Sequence, residues 1–113
     1  MQHDEIYLAS FPFGNVPGMK LRSVLLLTDP IGPNAEVLVA YISSVVPSVL
    51  LPSDILLDPN QPETQTTNLK TTSVLRLHKL ATIHGTSVRR YLGKIAIAIE
   101  GEVNTKLRVL LHL

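Results

Sequence analysis

Cysteine is missing from this chain, as is tryptophan, and the aromatic residues amount to three Tyr and two Phe. Without cysteine there is no disulfide and no thiolate metal site. So few aromatics exclude a broad platform on which bases stack. Charge is also scarce: charged residues make up 17% against 45% hydrophobic, a balance that belongs to a packed globule and not to a disordered segment. Long apolar runs are absent. The most apolar stretch, 37–51, is broken by Ser43, Ser44, Pro47 and Ser48, and it falls short of the about 18 unbroken residues that a membrane span needs. The opening Met1-Gln2-His3-Asp4-Glu5 is acidic and polar where a signal peptide is basic and then apolar, so the expectation is a cytoplasmic protein with no membrane association. There is no Gly-rich phosphate loop and no Gly-x-Ser-x-Gly elbow, and His78 and His84 stand six apart, which matches no common metal-ligand spacing. Metal-assisted hydrolysis and acyl-enzyme chemistry fit poorly, and neither a metal nor another cofactor is expected.

Acidic residues are absent from one long segment. Residues 1–63 hold seven Asp or Glu against two Lys or Arg, while residues 64–99 hold none. That second segment carries Lys70, Arg76, Lys79, Arg89, Arg90 and Lys94, with His78 and His84 among them. A stretch of one sign and this length attracts phosphate, although a solvated basic face has the same composition.

What is present is a series of short apolar runs punctuated by Pro, Gly and Asn. At 113 residues the chain suits a single domain over 1–113. Ile6-Tyr7-Leu8 reads as a first strand, and 11–18 as a Pro/Gly loop. Residues 21–28 and 36–43 read as strands apolar on both faces and therefore buried on both. Ser53 to Leu57 makes a short fourth strand. The polar run from Asp58 to Asn68 reads as an exposed, mobile loop. Residues 73–83 begin with Leu75 and Leu77 on one face, then change phase to Leu80 and Ile83, so a bulge is expected near Lys79. Tyr91 to Ile95 adds a strand. From about Ile99 onward, Val103, Leu107, Leu110 and Leu111 form one face of a terminal helix. Five or six strands and one helix imply a mainly β protein, a small bent sheet or barrel.

Polar residues at the ends of the apolar strands are the candidates for chemistry. Arg22 opens the run Ser23-Val24-Leu25-Leu26-Leu27, and a guanidinium beside a buried strand needs a counter-charge or an anionic ligand. Ser43 closes the run from Val37. Arg76 and His78 are two apart in one strand, so their side chains point the same way, opposite Leu75 and Leu77. Arg stabilises the extra negative charge of a phosphodiester transition state, and His titrates near neutral pH as acid or base. A merely solvated Arg–His pair fits the same spacing.

Taken in order, several segments give the chain a resemblance to the MazF/PemK (Kid-like) toxins. Asp4-Glu5-Ile6-Tyr7-Leu8-Ala9-Ser10-Phe11-Pro12-Phe13 looks like that family's first strand. Lys20-Leu21-Arg22-Ser23-Val24-Leu25-Leu26-Leu27 resembles its Arg-Pro-Val-Leu-Val strand, with Ser23 in place of Pro. Val39-Ala40-Tyr41-Ile42-Ser43-Ser44 is similar to its Val-x-Pro-Ile-Thr-Ser segment, and the stretch from Leu69 to Ile83 to the one ending Arg-Thr-Ile, with Ala81 in place of Arg. The resemblance implies an SH3-like barrel shared with CcdB-like toxins, a homodimer, an antitoxin partner and metal-independent, sequence-selective cleavage of single-stranded RNA through a 2′,3′-cyclic phosphate. Arg22 then holds the scissile phosphate, Ser43 keeps a hydroxyl donor where the family has Thr, and Arg76 and His78 are acid and base, His78 standing where the PemK branch has Asp. Lys20, Lys70, Lys79, Arg89 and Arg90 are the expected RNA-binding cations. A binding module on the same barrel that holds RNA or a protein without cutting remains the alternative. A gyrase-poisoning relative is less consistent with Arg22, Ser43 and Arg76 all standing at nuclease positions.

Overall fold

The apolar runs of the sequence become six antiparallel strands in the computed structural model, which describes residues 1–12 and 20–113. They are β1 (Glu5–Phe11), β2 (Lys20–Leu26), β3 (Val37–Ser43), β4 (Asp54–Leu57), β5 (Ser73–Ile83) and β6 (Val88–Lys94), followed by the helix α1 (Ile97–Leu111). The order across the sheet is β4-β5-β3-β2-β1-β6. Most of the loop expected at 11–18 lies outside the described residues.

Alternation along the central strands explains why they are apolar on both faces. Leu25, Ala40 and Ile42 join one core cluster with Ile6, Leu75 and Leu77, and Ile99 and Val103 of α1 cover it. Val24, Leu26, Val37 and Val39 point the other way, into a second cluster with Ala9, Phe11 and Ile83. Bulges bend and twist the strands that carry them, which lets this sheet curve around a core. Register shifts fall between Ile6 and Tyr7 and between Leu8 and Ala9 where β1 meets β6. Another falls where β3 meets β5: Ala40 pairs with Leu80 but Tyr41 with Arg76, so Leu77, His78 and Lys79 bulge. The phase slip near Lys79 is thus observed, and the bent sheet is compatible with a small barrel.

The helix begins at Ile97, two residues before the expected start, with Gly101 inside it. Ile99 and Val103 are buried and Leu107 and Leu110 pack on the same core, whereas Leu111 is exposed. Lys106 Nζ donates to the Asp54 carbonyl at 2.7 Å and ties α1 to β4. No helix among the described residues is long and apolar enough to cross a membrane.

The segment 58–68 is mostly exposed, as its composition suggests, but it is not an irregular loop throughout. Pro62–Thr67 form a 3-10 helix, with Thr64 and Thr67 buried. The hydroxyls turn inward onto carbonyls: Thr67 Oγ1 donates to Thr64 O at 2.6 Å, Thr64 Oγ1 to Asp58 O and Gln61 O, and Thr66 Oγ1 to Lys94 O at 2.8 Å. A threonine hydroxyl satisfied in this way can be buried, which polarity alone does not reveal. Its seat on β6 exists because Gly93 has no side chain. A Cβ there would lie 2.5 Å from the carbonyl oxygens of Thr66 and Thr67. Gly93→Ala is expected to destabilise by about 2–3 kcal/mol in urea unfolding, because backbone cannot retreat cheaply. Gly101→Ala is its control: a Cβ there meets nothing, and the helix gains or stays level. Equal losses in both variants would show that the close approach at Gly93 is not the cause.

Candidate active site

Antiparallel register brings the candidate residues together. The last pair between β2 and β3 is Ser23 with Ile42; one step further along the two strands stand Arg22 and Ser43. On the other side of β3, Tyr41 is opposite Arg76 of β5, and Arg76 is in turn opposite Asp54 of β4. Arg22, Ser43, Arg76 and Lys79 accordingly line one groove of about 380 Å³, with Tyr41, Val45 and Pro47 as its remaining walls.

Each side chain is held differently. Arg22 is half-buried and sends Nη1 toward the Leu21 carbonyl in a long contact of 3.5 Å. Ser43 is buried, and its hydroxyl is engaged in its own turn: it donates to Val45 O at 3.2 Å and accepts from Val45 N–H at 3.1 Å. Lys79 sits over the Tyr41 ring at 5.8 Å, and Tyr41 stacks on Phe11 at 5.4 Å.

Arg76 is fixed by a residue that sequence reasoning missed. Its Nε and Nη2 donate to the two oxygens of Asp54 at 3.1 and 3.3 Å. The Asp54 carboxylate has no exposed side-chain surface and also accepts from Leu51 N–H at 2.8 Å. Burial by itself raises a carboxyl pKa; the Leu51 N–H and the Arg76 guanidinium outweigh it and hold Asp54 below 3.8. The one signal in the sequence was an acid opening the apolar run Ile55-Leu56-Leu57, the mirror of Arg22 before its own run.

His78 points to the same side as Arg76, as expected, with Nδ1 4.0 Å from Asp54 Oδ1. It does not line the Arg22 groove, however. It lines a separate, mainly apolar recess of about 570 Å³ between the 51–53 segment and α1, beside Val109 and Leu110. Partial burial, and next the positive charge of Arg76, hold its imidazole below 6.5, against the opposing pull of Asp54.

Of the expected RNA-binding cations, Lys79 is in the groove. Lys70 and Arg90 line an adjoining recess of about 520 Å³ that shares Arg22, Tyr41 and Val45 with it. Lys20 and Arg89 are exposed at the start of β2 and on β6, and line neither cavity.

Comparisons with known proteins follow this geometry. The family model described as "PemK-like, MazF-like toxin of type II toxin-antitoxin system" matches residues 2–111. No curated protein matches the sequence. Among solved structures, the Mycobacterium tuberculosis toxin MazF-mt6 superposes with a TM-score of 0.74 at 22% identity, covering 96% of this chain and 97% of that one. An endoribonuclease in complex with its cognate antitoxin, from a mycobacterial species, superposes at 0.67 and 17% identity, covering 100% of this chain and 96% of that one. A further mycobacterial endoribonuclease gives 0.71 at 16%, covering 100% and 92%. At these identities the likeness to solved structures is one of fold.

Proposed function

We propose, from the premise that this chain belongs to the PemK-like, MazF-like toxins of type II toxin–antitoxin systems, that it is an endoribonuclease which cuts single-stranded RNA without a metal. The observation that carries this reading is the convergence of Arg22, Ser43, Arg76 and Lys79, from three strands, on one groove. Three cations and a hydroxyl in a half-open cleft suit a phosphodiester, whose charge increases in the transition state. The two mycobacterial relatives described as endoribonucleases support the same activity.

In the proposed reaction the ribose 2′-oxygen attacks the adjacent phosphorus and the bond to the 5′-oxygen breaks, leaving a 2′,3′-cyclic phosphate and a 5′-OH. Arg22 holds the phosphate. Ser43 turns from Val45 to donate to a non-bridging oxygen. Arg76, aimed by Asp54, is the acid that gives a proton to the leaving 5′-oxygen and regains one from solvent. His78 takes the proton of the 2′-OH. Its Nδ1 and the Arg76 Nε lie 4.0 and 3.1 Å from the same Asp54 oxygen, so the imidazole neighbours Arg76 although it lines a separate recess, and the RNA has to reach from the groove to that side of Arg76.

The deciding assay incubates the purified protein, free of antitoxin, with mixed-sequence RNA in EDTA. Cyclic-phosphate ends that disappear with Arg22→Ala support the reading. Intact RNA overturns it in favour of a binding module.

For His78 the sign follows from its environment. The neutral imidazole is the base, and its pKa is held below 6.5. Cleavage by the wild type should therefore be level from pH 8 down to about 6.5 and fall only below that. His78→Ala should remove the acid limb and slow cleavage by roughly 10²–10⁴-fold. An unchanged rate and pH profile in that variant would take His78 out of the mechanism.

The antitoxin is proposed to cover the groove with an acidic and apolar segment, and a second copy of the chain to make a homodimer. Exposed Val45, Val49, Leu51, Val109 and Leu113 give the 44–53 segment and the end of α1 an apolar surface suited to a protein partner. Cytoplasmic RNA as substrate implies a cytoplasmic site of action.

A further inference from the structure

We infer that the recess adjoining the groove is a nucleobase subsite in which Asn68 reads one position of the RNA sequence; this rests on the reading of the groove as an RNA site. The two cavities are continuous, since Arg22, Tyr41 and Val45 belong to both. A chain whose phosphate sits on Arg22 therefore presents a neighbouring nucleotide to the recess. Its lining matches the two ends of a nucleotide. Leu21, Leu69 and Leu92 offer an apolar bed for a base, and Lys70 and Arg90 offer charge for its phosphate. The protein has too few aromatics to bind bases by stacking alone, so enclosure has to replace the platform.

Asn68 is exposed, yet its backbone and its amide are both held where it lines this recess. It closes the 3-10 helix in the left-handed conformation, φ 57° and ψ 18°, which Asn tolerates better than most residues. Its backbone N–H donates to Gln65 O at 3.4 Å. Its Nδ2 donates to Leu92 O at 2.8 Å, across to β6. That bond uses one of the two amide hydrogens and fixes the plane of the group, leaving Oδ1 as an acceptor and the second N–H as a donor. A pinned donor and acceptor side by side, on the wall of a cavity of nucleotide size, is a device for reading a base edge. Its polar atoms lose their partner when the wrong base enters. Four oxygen-bearing neighbours, Ser23, Ser44, Thr71 and Ser73, line the same recess and complete a wall able to bond a base without charge.

The test compares wild type with Asn68→Gly, which keeps the left-handed backbone and deletes only the amide. Two readouts are used: the base frequencies around cut sites in a randomised RNA pool, and those in a 2′-O-methyl pool retained by the protein, which cannot be cut. In both, the wild type should favour the best base over the worst by about tenfold or more at one position. Asn68→Gly should bring that position to within about threefold and leave the others as they were. Lys70→Ala should lower retention equally for all sequences and weaken its salt dependence. If the wild type cuts and Asn68→Gly shows the same frequencies at every position, or a uniform loss at all of them, the inference falls while the nuclease stands. If nothing is cut but the retained pool shows the single-position effect, the subsite stands and the nuclease falls. Neither cutting nor retention overturns both.

Discussion

Arg22→Ala should abolish most cleavage while leaving a folded protein. The expected loss is about 10²–10³-fold in single-turnover rate on a short fluorogenic RNA, the usual worth of one donor aimed at developing charge. The position of Arg22 is what makes the effect large. It is half-buried beside the β2–β3 pairing, and it lines both the phosphate groove and the neighbouring recess. A guanidinium in such a place works at lower effective dielectric than an exposed one, and its planar fork fits a phosphate in two bonds. Arg22→Lys should recover part of the rate, because it restores the charge without the fork. Stability should change little in either variant, since the hydrophobic residues around it remain. If Arg22→Ala cuts RNA as fast as the wild type, the groove is not where the phosphate reacts.

Asp54→Ala should be the most destabilising of the single substitutions considered. The carboxylate is enclosed and takes three hydrogen bonds, two from Arg76 and one from Leu51 N–H. Removing it leaves a guanidinium that is only 17% exposed without its partner. Breaking a buried pair in this way costs about 3–5 kcal/mol, a large part of the about 5–15 kcal/mol that holds a domain folded. The thermal midpoint should fall by about 10 °C or more. Asp54→Ala combined with Arg76→Leu should regain part of the loss, because the orphaned charge is then gone.

The pH dependence has a definite sign. Asp54 titrates below 3.8 in the folded protein, so its contribution is complete above the unfolded value and disappears as the pH falls through the folded one. The gap between wild type and Asp54→Ala should therefore be full at pH 7 and narrow below about pH 3.8. A gap that does not change between pH 7 and pH 3 would mean that the pair contributes packing and not charge.

Particular residues show how far the chain could be read in advance. The centres of the two runs, 24–27 and 37–42, are apolar at every position, which suits a strand with a core on each side; both cores are present. The phase slip after Leu77 is as plain in the sequence as the bulge is in the sheet. Within 58–68 the 3-10 helix and its two buried threonines are not legible in advance, because Thr carries no mark of where its hydroxyl finds a partner. Thr64 and Thr67 are buried by bonds to carbonyls that exist only once the 3-10 helix has formed. Asp54 was missed for a related reason: its partner stands 22 residues away, and strand pairing, not local spacing, makes them neighbours.

Alternation and punctuation, which act over a few residues, were enough to set the strands, the terminal helix and the basic segment, since hydrophobic period and turn chemistry are local properties. Whether Arg22, Ser43 and Arg76 would share a cleft, and that His78 would stand in the next one, depended on strand order and register. Those are set by long-range burial, where a slip of one residue sends each side chain to the opposite face.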